Sequence, residues 1–150
     1  MSVIAIREWI MDIDNVADVY QKLSKETLQD LAQIYHQDVV FEDSAHTLNG
    51  WDALSQYFHT LYQNVIDCRF DIKSQHQVDD SGFIIWTMYL RHPKLNRGKD
   101  VAVQGVSHIK FRRGKIIHHR DYFDMGEMLY EHLPVLGSVI RAIKKRLGQA

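Results

Sequence analysis

Between Cys68 and Phe123 the apolar residues stop recurring at helical spacing and begin to alternate, and no other feature limits the fold as much. Cys68 to Val78 alternates through Phe70 and Ile72. Asp79-Asp80-Ser81-Gly82 has the composition of a turn. Phe83 to His92, F-I-I-W-T-M-Y-L-R-H, is an almost continuous apolar run, which predicts a strand covered on both faces. After a loop from Pro93 to Lys99, Asp100 to Phe111 alternates again through Val101, Val103, Val106, Ile109 and Phe111. Arg112-Arg113-Gly114-Lys115 is a second tight turn, and Gly114 to Asp124, G-K-I-I-H-H-R-D-Y-F-D, is the last strand. Long alternating strands joined by short turns make an antiparallel sheet.

The first half reads differently. Residues 1–11 are an apolar lead-in read as a short helix. Val16, Val19, Tyr20 and Leu23 recur at helical spacing from Ile13. Ser24 reads as the N-cap of a second helix, with Leu23 and Leu28 in the staple arrangement, carrying Leu31, Ile34 and Tyr35 and ending near His36. Val39 to Asp43 is a short strand, Ser44 to Asn49 a loop, and Gly50-Trp51-Asp52 starts a helix with Leu54, Phe58, Leu61 and Val65 on one stripe. A short helical piece over Glu127 to His132 precedes an amphipathic helix over about 134–147. There Val135, Leu136, Val139, Ile140, Ile143 and Leu147 lie opposite Arg141, Lys144, Lys145 and Arg146, with no acid to offset the cations. Its favoured reading is packing on the sheet with a solvated cationic face, ahead of contact with an anionic membrane surface. Helices, one strand, a helix and a run of antiparallel strands make an α+β layout, and residues 1–150 read as a single domain.

Composition narrows the function classes. The chain is 45% hydrophobic and 25% charged, ordinary for a globular domain, and its net charge of −1 gives no field to recruit nucleic acid. The single cysteine, Cys68, suits a reducing cytoplasm. The start, M-S-V-I-A-I-R-E-W-I, lacks the form of a secretory signal, and no apolar run approaches the roughly 18 residues of a membrane span. The histidines lack H-x-x-x-H spacing and there is no C-x-x-C, so neither a metal nor a cofactor is expected.

The last strand concentrates Asp121, Asp124, His118, His119 and Arg120 among aromatics. Asp121 has the chemistry of a general acid or base for proton abstraction beside a carbonyl, or of an acid bonded within the fold. His119 either pairs with Asp121 or sits at a rim. Asp43 is either a second acid or the cap of the loop before Thr47.

The order of elements and the motif G-K-I-x-x-x-R-D-Y-F-D resemble the SnoaL-like branch of the nuclear-transport-factor-2-like (NTF2-like) superfamily, over roughly Asp14 to Glu131. The resemblance implies an α+β cone, a curved mixed or antiparallel sheet wrapped around N-terminal helices with an interior pocket. The superfamily includes polyketide cyclases, ketosteroid isomerases, limonene-epoxide hydrolases and binding proteins, so it implies a fold more sharply than an activity. R-D-Y-F-D is shared with the limonene-epoxide hydrolases, whose catalytic Asp matches Asp121. Their Arg-x-Asp pair is replaced here by Met88 and Leu90, and their Tyr and Asn by Phe41 and Asp43, so that catalytic set is incomplete.

With Asp121 facing the pocket, alternation turns Ile117, His119 and Phe123 the same way and His118, Arg120, Tyr122 and Asp124 outward. Arg120 and Asp124 then read as an ion pair or a dimer contact. The resemblance points Ile84, Trp86, Met88, Leu90 and His92 inward and leaves Phe83, Ile85 and Tyr89 on an outer face that commonly makes a homodimer. Candidate catalytic residues are Asp121, Asp43 and His119. Candidate ligand contacts are Phe41, Tyr57, Trp86 and Met88, with Leu90, His92, Val103 and Phe123. Two functions stay open. One is a cofactor-free isomerase, cyclase or lyase using Asp121 on an apolar carbonyl compound. The other is a non-catalytic dimer that holds an apolar ligand or lipid.

Overall fold

The computed structural model describes residues 12–149, so the apolar lead-in over 1–11 lies outside it. Helix α1 (Ile13–Gln21) is N-capped by Asp12, whose carboxylate accepts the Asn15 N–H at 3.1 Å, and it buries Ile13, Val16, Ala17 and Tyr20 on one face. The second helix expected after Ser24 does not form as such. Residues Leu28–Gln33 make a short 3-10 helix, and Tyr35 and His36 already belong to strand β1 (Tyr35–Glu42). Two forces decide this. The Ser24 and Thr27 hydroxyls bond locally in a turn, with the Ser24 N–H donating to Thr27 Oγ1 at 2.9 Å and Thr27 Oγ1 donating to Lys22 O at 3.0 Å. The chain after Ile34 then pairs with the last strand, starting from Tyr35 opposite Ile116.

The loop after β1 contains a further short strand, β2 (Thr47–Asn49), paired antiparallel with β1. Gly50, at φ 88°, turns the chain into α2 (Trp51–Asn64), which buries Leu54, Phe58 and Tyr62. Strands β3 (Asp67–Val78), β4 (Ser81–Arg91), β5 (Val101–Arg112) and β6 (Lys115–Phe123) form the antiparallel run. The β5–β6 turn puts Arg113 and Gly114 at φ 52° and 76°, the left-handed pair that a two-residue hairpin turn needs. The six-stranded sheet has the order β2-β1-β6-β5-β4-β3, with β1 and β6 parallel and every other pair antiparallel. Register shifts in β3, in β6 and between Tyr35 and Val40 bend it, as bulges do, around α1 and α2. Leu31, Ile34, Leu54, Ile84, Ile109 and Ile116 are fully buried between sheet and helices.

Three expectations on the sheet need correction. In β5 the inward alternation continues through Gly105 and Ser107, so Val106 faces outward. In β6 the bulge opposite Lys110 and Phe111 sends Ile116, not Ile117, into the core. The outer face of β4 is not covered by the described residues, since Phe83 and Ile85 are each 40% exposed.

After β6, Asp124 caps α3 (Met125–Met128) by accepting the Gly126 N–H at 2.8 Å. A 3-10 turn (Tyr130–His132) leads to α4 (Leu136–Gly148). Asp124 pairs with Lys144 at 2.5 Å rather than with Arg120, which stacks over Tyr122. Glu131 also reaches Lys144, at 3.2 Å, so one cation of α4 does have acids beside it. The helix does not pack its apolar stripe on the sheet. Of its residues only Gly137 is buried, and Leu136, Val139, Ile143 and Leu147 are exposed.

Candidate active site

Asp121 faces the concave side of β6, directly across from Ser107 on β5. One of its oxygens, Oδ1, accepts two hydrogen bonds, from Ser107 Oγ at 2.5 Å and from His119 Nε2 at 2.6 Å. Ser107 is itself held by Trp86, whose indole N–H donates to Oγ at 2.9 Å. His119 is 1% exposed and edges onto the Phe41 ring at 4.8 Å. Its other nitrogen, Nδ1, meets the Tyr35 hydroxyl at 2.8 Å, and Tyr35 bonds to the Tyr20 hydroxyl. One placement of protons satisfies every group. In it Tyr20 donates to Tyr35, Tyr35 to His119 Nδ1, and His119 Nε2–H to Asp121. Burial holds both tyrosines well above the usual phenol pKa, and the Asp121 charge pushes the same way, so both hydroxyls keep their protons.

No donor among the described residues reaches the second oxygen of Asp121, Oδ2, and the side chain is 18% exposed. It opens on a cavity of about 450 Å³ between β4, β6 and α2. Phe41, Tyr57, Trp86, Met88, Leu90, His92 and Phe123 all line this cavity. Val103 does not. It is fully buried in the core. His119 stands behind Asp121 rather than on the wall. Tyr57 makes no hydrogen bond among the described residues, and burial, with the charges of Asp43 and Asp121 beyond it, raises its pKa. It stays a neutral donor in the field of both carboxylates.

Asp43 also lines the cavity, with Oδ1 tied up in its own loop and Oδ2 contacted, among the described residues, only by His46 Nδ1, at 3.3 Å. Its Oδ1 accepts the backbone N–H of Ala45 at 2.8 Å and of His46 at 2.7 Å, and His46 Nδ1 lies at 3.0 Å. This is the loop cap among the two readings of Asp43. His92 Nδ1 likewise accepts the Lys94 N–H, at 3.0 Å. Cys68 lies on the wall with its thiol pushed up to about 12 by burial, so it is inert as a nucleophile. Among the described residues no group of three His, Cys, Asp or Glu gathers as a metal would need.

Sequence reasoning missed Ser107, Tyr20 and Tyr35. The signal for Ser107 was its place in Q-G-V-S, where a Gly and a Ser interrupt an apolar alternation. Gly105 is required there because a Cβ would fall 2.2 Å from the Trp86 ring. Trp86 therefore lies flat over the strand and can reach Ser107. No local signal marks Tyr20 or Tyr35, whose phenols read as apolar members of a helix stripe.

A profile of the SnoaL-like domain matches residues 16–119. The chain belongs to the SnoaL-like family. The match ends at His119, so Asp121 lies just beyond it. Solved structures share the fold of this SnoaL-like chain. A candidate SnoaL-like polyketide cyclase from Shewanella denitrificans is 24% identical, with a TM-score of 0.65, covering 77% of this chain and 92% of that one. Its counterpart from Shewanella putrefaciens is 21% identical, with a TM-score of 0.64 and coverages of 77% and 91%. TerC, crystallised with polyporic acid, is 16% identical, with a TM-score of 0.65 and coverages of 75% and 91%. No curated protein matches the chain. The architecture is the α+β cone of the NTF2-like proteins. No helix among the described residues is long and apolar enough to cross a membrane.

Proposed function

We propose that this SnoaL-like protein is a cofactor-free isomerase, cyclase or lyase that moves a proton on an apolar carbonyl compound, with Asp121 as the general base and acid. One observation carries this reading. Ser107 and His119 saturate Asp121 Oδ1 and fix the carboxylate, Oδ2 carries no hydrogen bond among the described residues, and the side chain lines an apolar cavity. In the proposed step Oδ2 takes a proton from the carbon next to the carbonyl. The C–H electron pair moves into the new C=C bond, and the carbonyl π pair moves onto oxygen. The Tyr57 hydroxyl, neutral and unpartnered, donates to that oxyanion, and Asp121 returns the proton elsewhere on the ligand. His119 is a positioning residue, held by Tyr35 and Tyr20. TerC, of the same fold, was crystallised with polyporic acid, which supports a small organic ligand for this fold's cavity.

Exchange of α-protons in D2O, followed by NMR over a panel of cyclic ketones, enones and β-dicarbonyl compounds, tests the step. Exchange with at least one compound is expected. No exchange with any of them, or exchange indifferent to Asp121→Asn, would overturn it. A second reading, a non-catalytic holder of an apolar ligand, is favoured by the ties of Asp43 to its own loop and to His46, which set it apart from Asp121 as a loop-shaping acid. Native mass spectrometry of protein from cell extract separates them, since a binder retains its ligand unchanged.

The working unit we propose is a homodimer through the outer sheet face. Phe83 stacks on His108 at 4.6 Å there, and Ile85 and Tyr122 stand exposed beside them. A reducing cytoplasm suits the lone Cys68.

A further inference from the structure

The cavity beside Asp121 has two polar ends. At one end stand Asp121, Asp43 and Tyr57, close enough for both carboxylates to act on the phenol, with His46 beside them. The other end lies where β4 leaves the sheet. The Ile66 N–H donates to the Arg91 carbonyl at 2.8 Å, which seats the C-terminal end of α2 beside the end of β4 and sets Asn64 and His92 on the same stretch of wall. Register separates the two ends. Asp121 lies opposite Ser107, Ser107 lies opposite Ile84, and the chain then runs on from Ile84 to His92. At about 3.3 Å per residue of strand, that run exceeds the length of a single ring even on a curled sheet. The wall between the ends is apolar, made by Leu61, Val65, Phe70, Met88 and Leu90. His92 is the fixed donor of the far end. Its Nδ1 accepts the backbone N–H of Lys94 at 3.0 Å. A ring nitrogen that accepts carries no hydrogen, so the N–H is on Nε2. Nε2 has no partner among the described residues, and the side chain is half-buried on the cavity wall. The acids on that wall, Asp43 and Asp121, both stand at the opposite end. The far end therefore presents a donor with no carboxylate to take it.

We propose that His92 Nε2–H, with the Asn64 amide, binds an oxygen acceptor at the far end of the ligand. The ligand is then an elongated apolar carbonyl compound with a second keto or hydroxyl oxygen, remote from the carbon that faces Asp121. Burial of apolar surface is non-directional, so the wall between the ends lets such a ligand slide along it. A hydrogen bond at His92 fixes the slide, and with it which carbon stands before Asp121. His92 is therefore a specificity residue and takes no part in proton transfer. The proposal rests on the reading of the cavity as a site for a carbonyl compound. It does not rest on catalysis by Asp121, because a protein that only holds the ligand would use the same anchor.

Calorimetric titration of the full chain with two ketones tests this. One is methyl octyl ketone, and the other is the same chain with a second keto group beside its far methyl. Wild type is expected to bind the diketone more tightly. His92→Phe should cut that preference about tenfold, near the upper worth of one neutral hydrogen bond. His92→Gln, which keeps a side-chain N–H, should retain most of it. The ratio of the two affinities is the readout, so a general loosening of the loop at Lys94 weakens both ketones and cancels. A His92 that only shapes its loop would leave the ratio unchanged. The proposal is overturned by equal affinity of wild type for the two ketones, by a preference that survives His92→Phe, or by a His92→Gln chain that behaves as His92→Phe does. Failure of both ketones to bind would sink the reading of the cavity and this inference with it. Binding with the expected preference but without α-proton exchange would sink the catalytic step alone and leave the anchor standing.

Discussion

Two acid–imidazole pairs border one cavity, Asp121 with His119 and Asp43 with His46, and they are built in opposite ways. The Asp43 pair is local. Its acid bonds residues two and three positions on, and His46 is exposed. The Asp121 pair is assembled from afar. Ser107 comes from the next strand, Trp86 from the one beyond, and Tyr35 from a segment 84 residues earlier than His119. The local pair spends one oxygen of its acid on shaping a loop and turns the other only to its own imidazole, at 3.3 Å. The remote pair is locked on one oxygen and free on the other. Nearness to a cavity therefore does not mark a reactive acid. What marks it is whether its other bonds fix it without using it up.

The sharpest way to break this contrast is catalytic. Asp121→Asn should lower α-proton exchange by about 10²–10⁴-fold, the usual worth of a general base, while Asp43→Asn should lower it by less than about tenfold. Equal losses would dissolve the distinction. Stability comes next. His119→Phe leaves the buried Tyr35 hydroxyl without its acceptor and takes one donor from Asp121, which should cost about 3 kcal/mol in urea unfolding. His46→Phe, at an exposed site, should cost less than about 1 kcal/mol.

Gly105→Ala tests the support rather than the pair. The new methyl would collide with Trp86 and loosen its bond to Ser107, for a loss of about 2 kcal/mol and a fall in exchange larger than any produced by Asp43→Asn. The smallest effect is on pH dependence. Burial raises Cys68 from its ordinary 9.0 to about 12 and lifts Tyr20, Tyr35, Tyr57 and Tyr62 above 10.0, so the folded chain keeps protons that the unfolded chain gives up. The stability they contribute is whole below pH 9.0 and declines as pH rises toward the folded values, by about 1.4 kcal/mol per unit for each group held protonated. Tyr35→Phe should flatten that slope by one group's share, and His46→Phe should leave it unchanged.

The sequence by itself determined the sheet, its turns and the sharing of one face by Asp121, His119 and Phe123, because a period of two and the Arg113-Gly114 turn are local facts. The G-K-I-x-x-x-R-D-Y-F-D motif likewise carried the family. Where a local signal competed with a distant partner, the reading failed. Tyr35 fits a helix stripe, yet pairing with Ile116 drew it into β1 and set its hydroxyl on His119. The bulge at Lys110 and Phe111 exchanged Ile117 for Ile116 in the core. The stripe of α4 was plain, but which side would dock was not. Asp124 and Glu131 are brought together only once α3 and the 3-10 turn are folded, and their hold on Lys144 turns the apolar side outward. Periodicity says which residues share a face. Only the tertiary structure decides what that face meets, because partners distant in sequence leave no periodic trace in the stretch they bind.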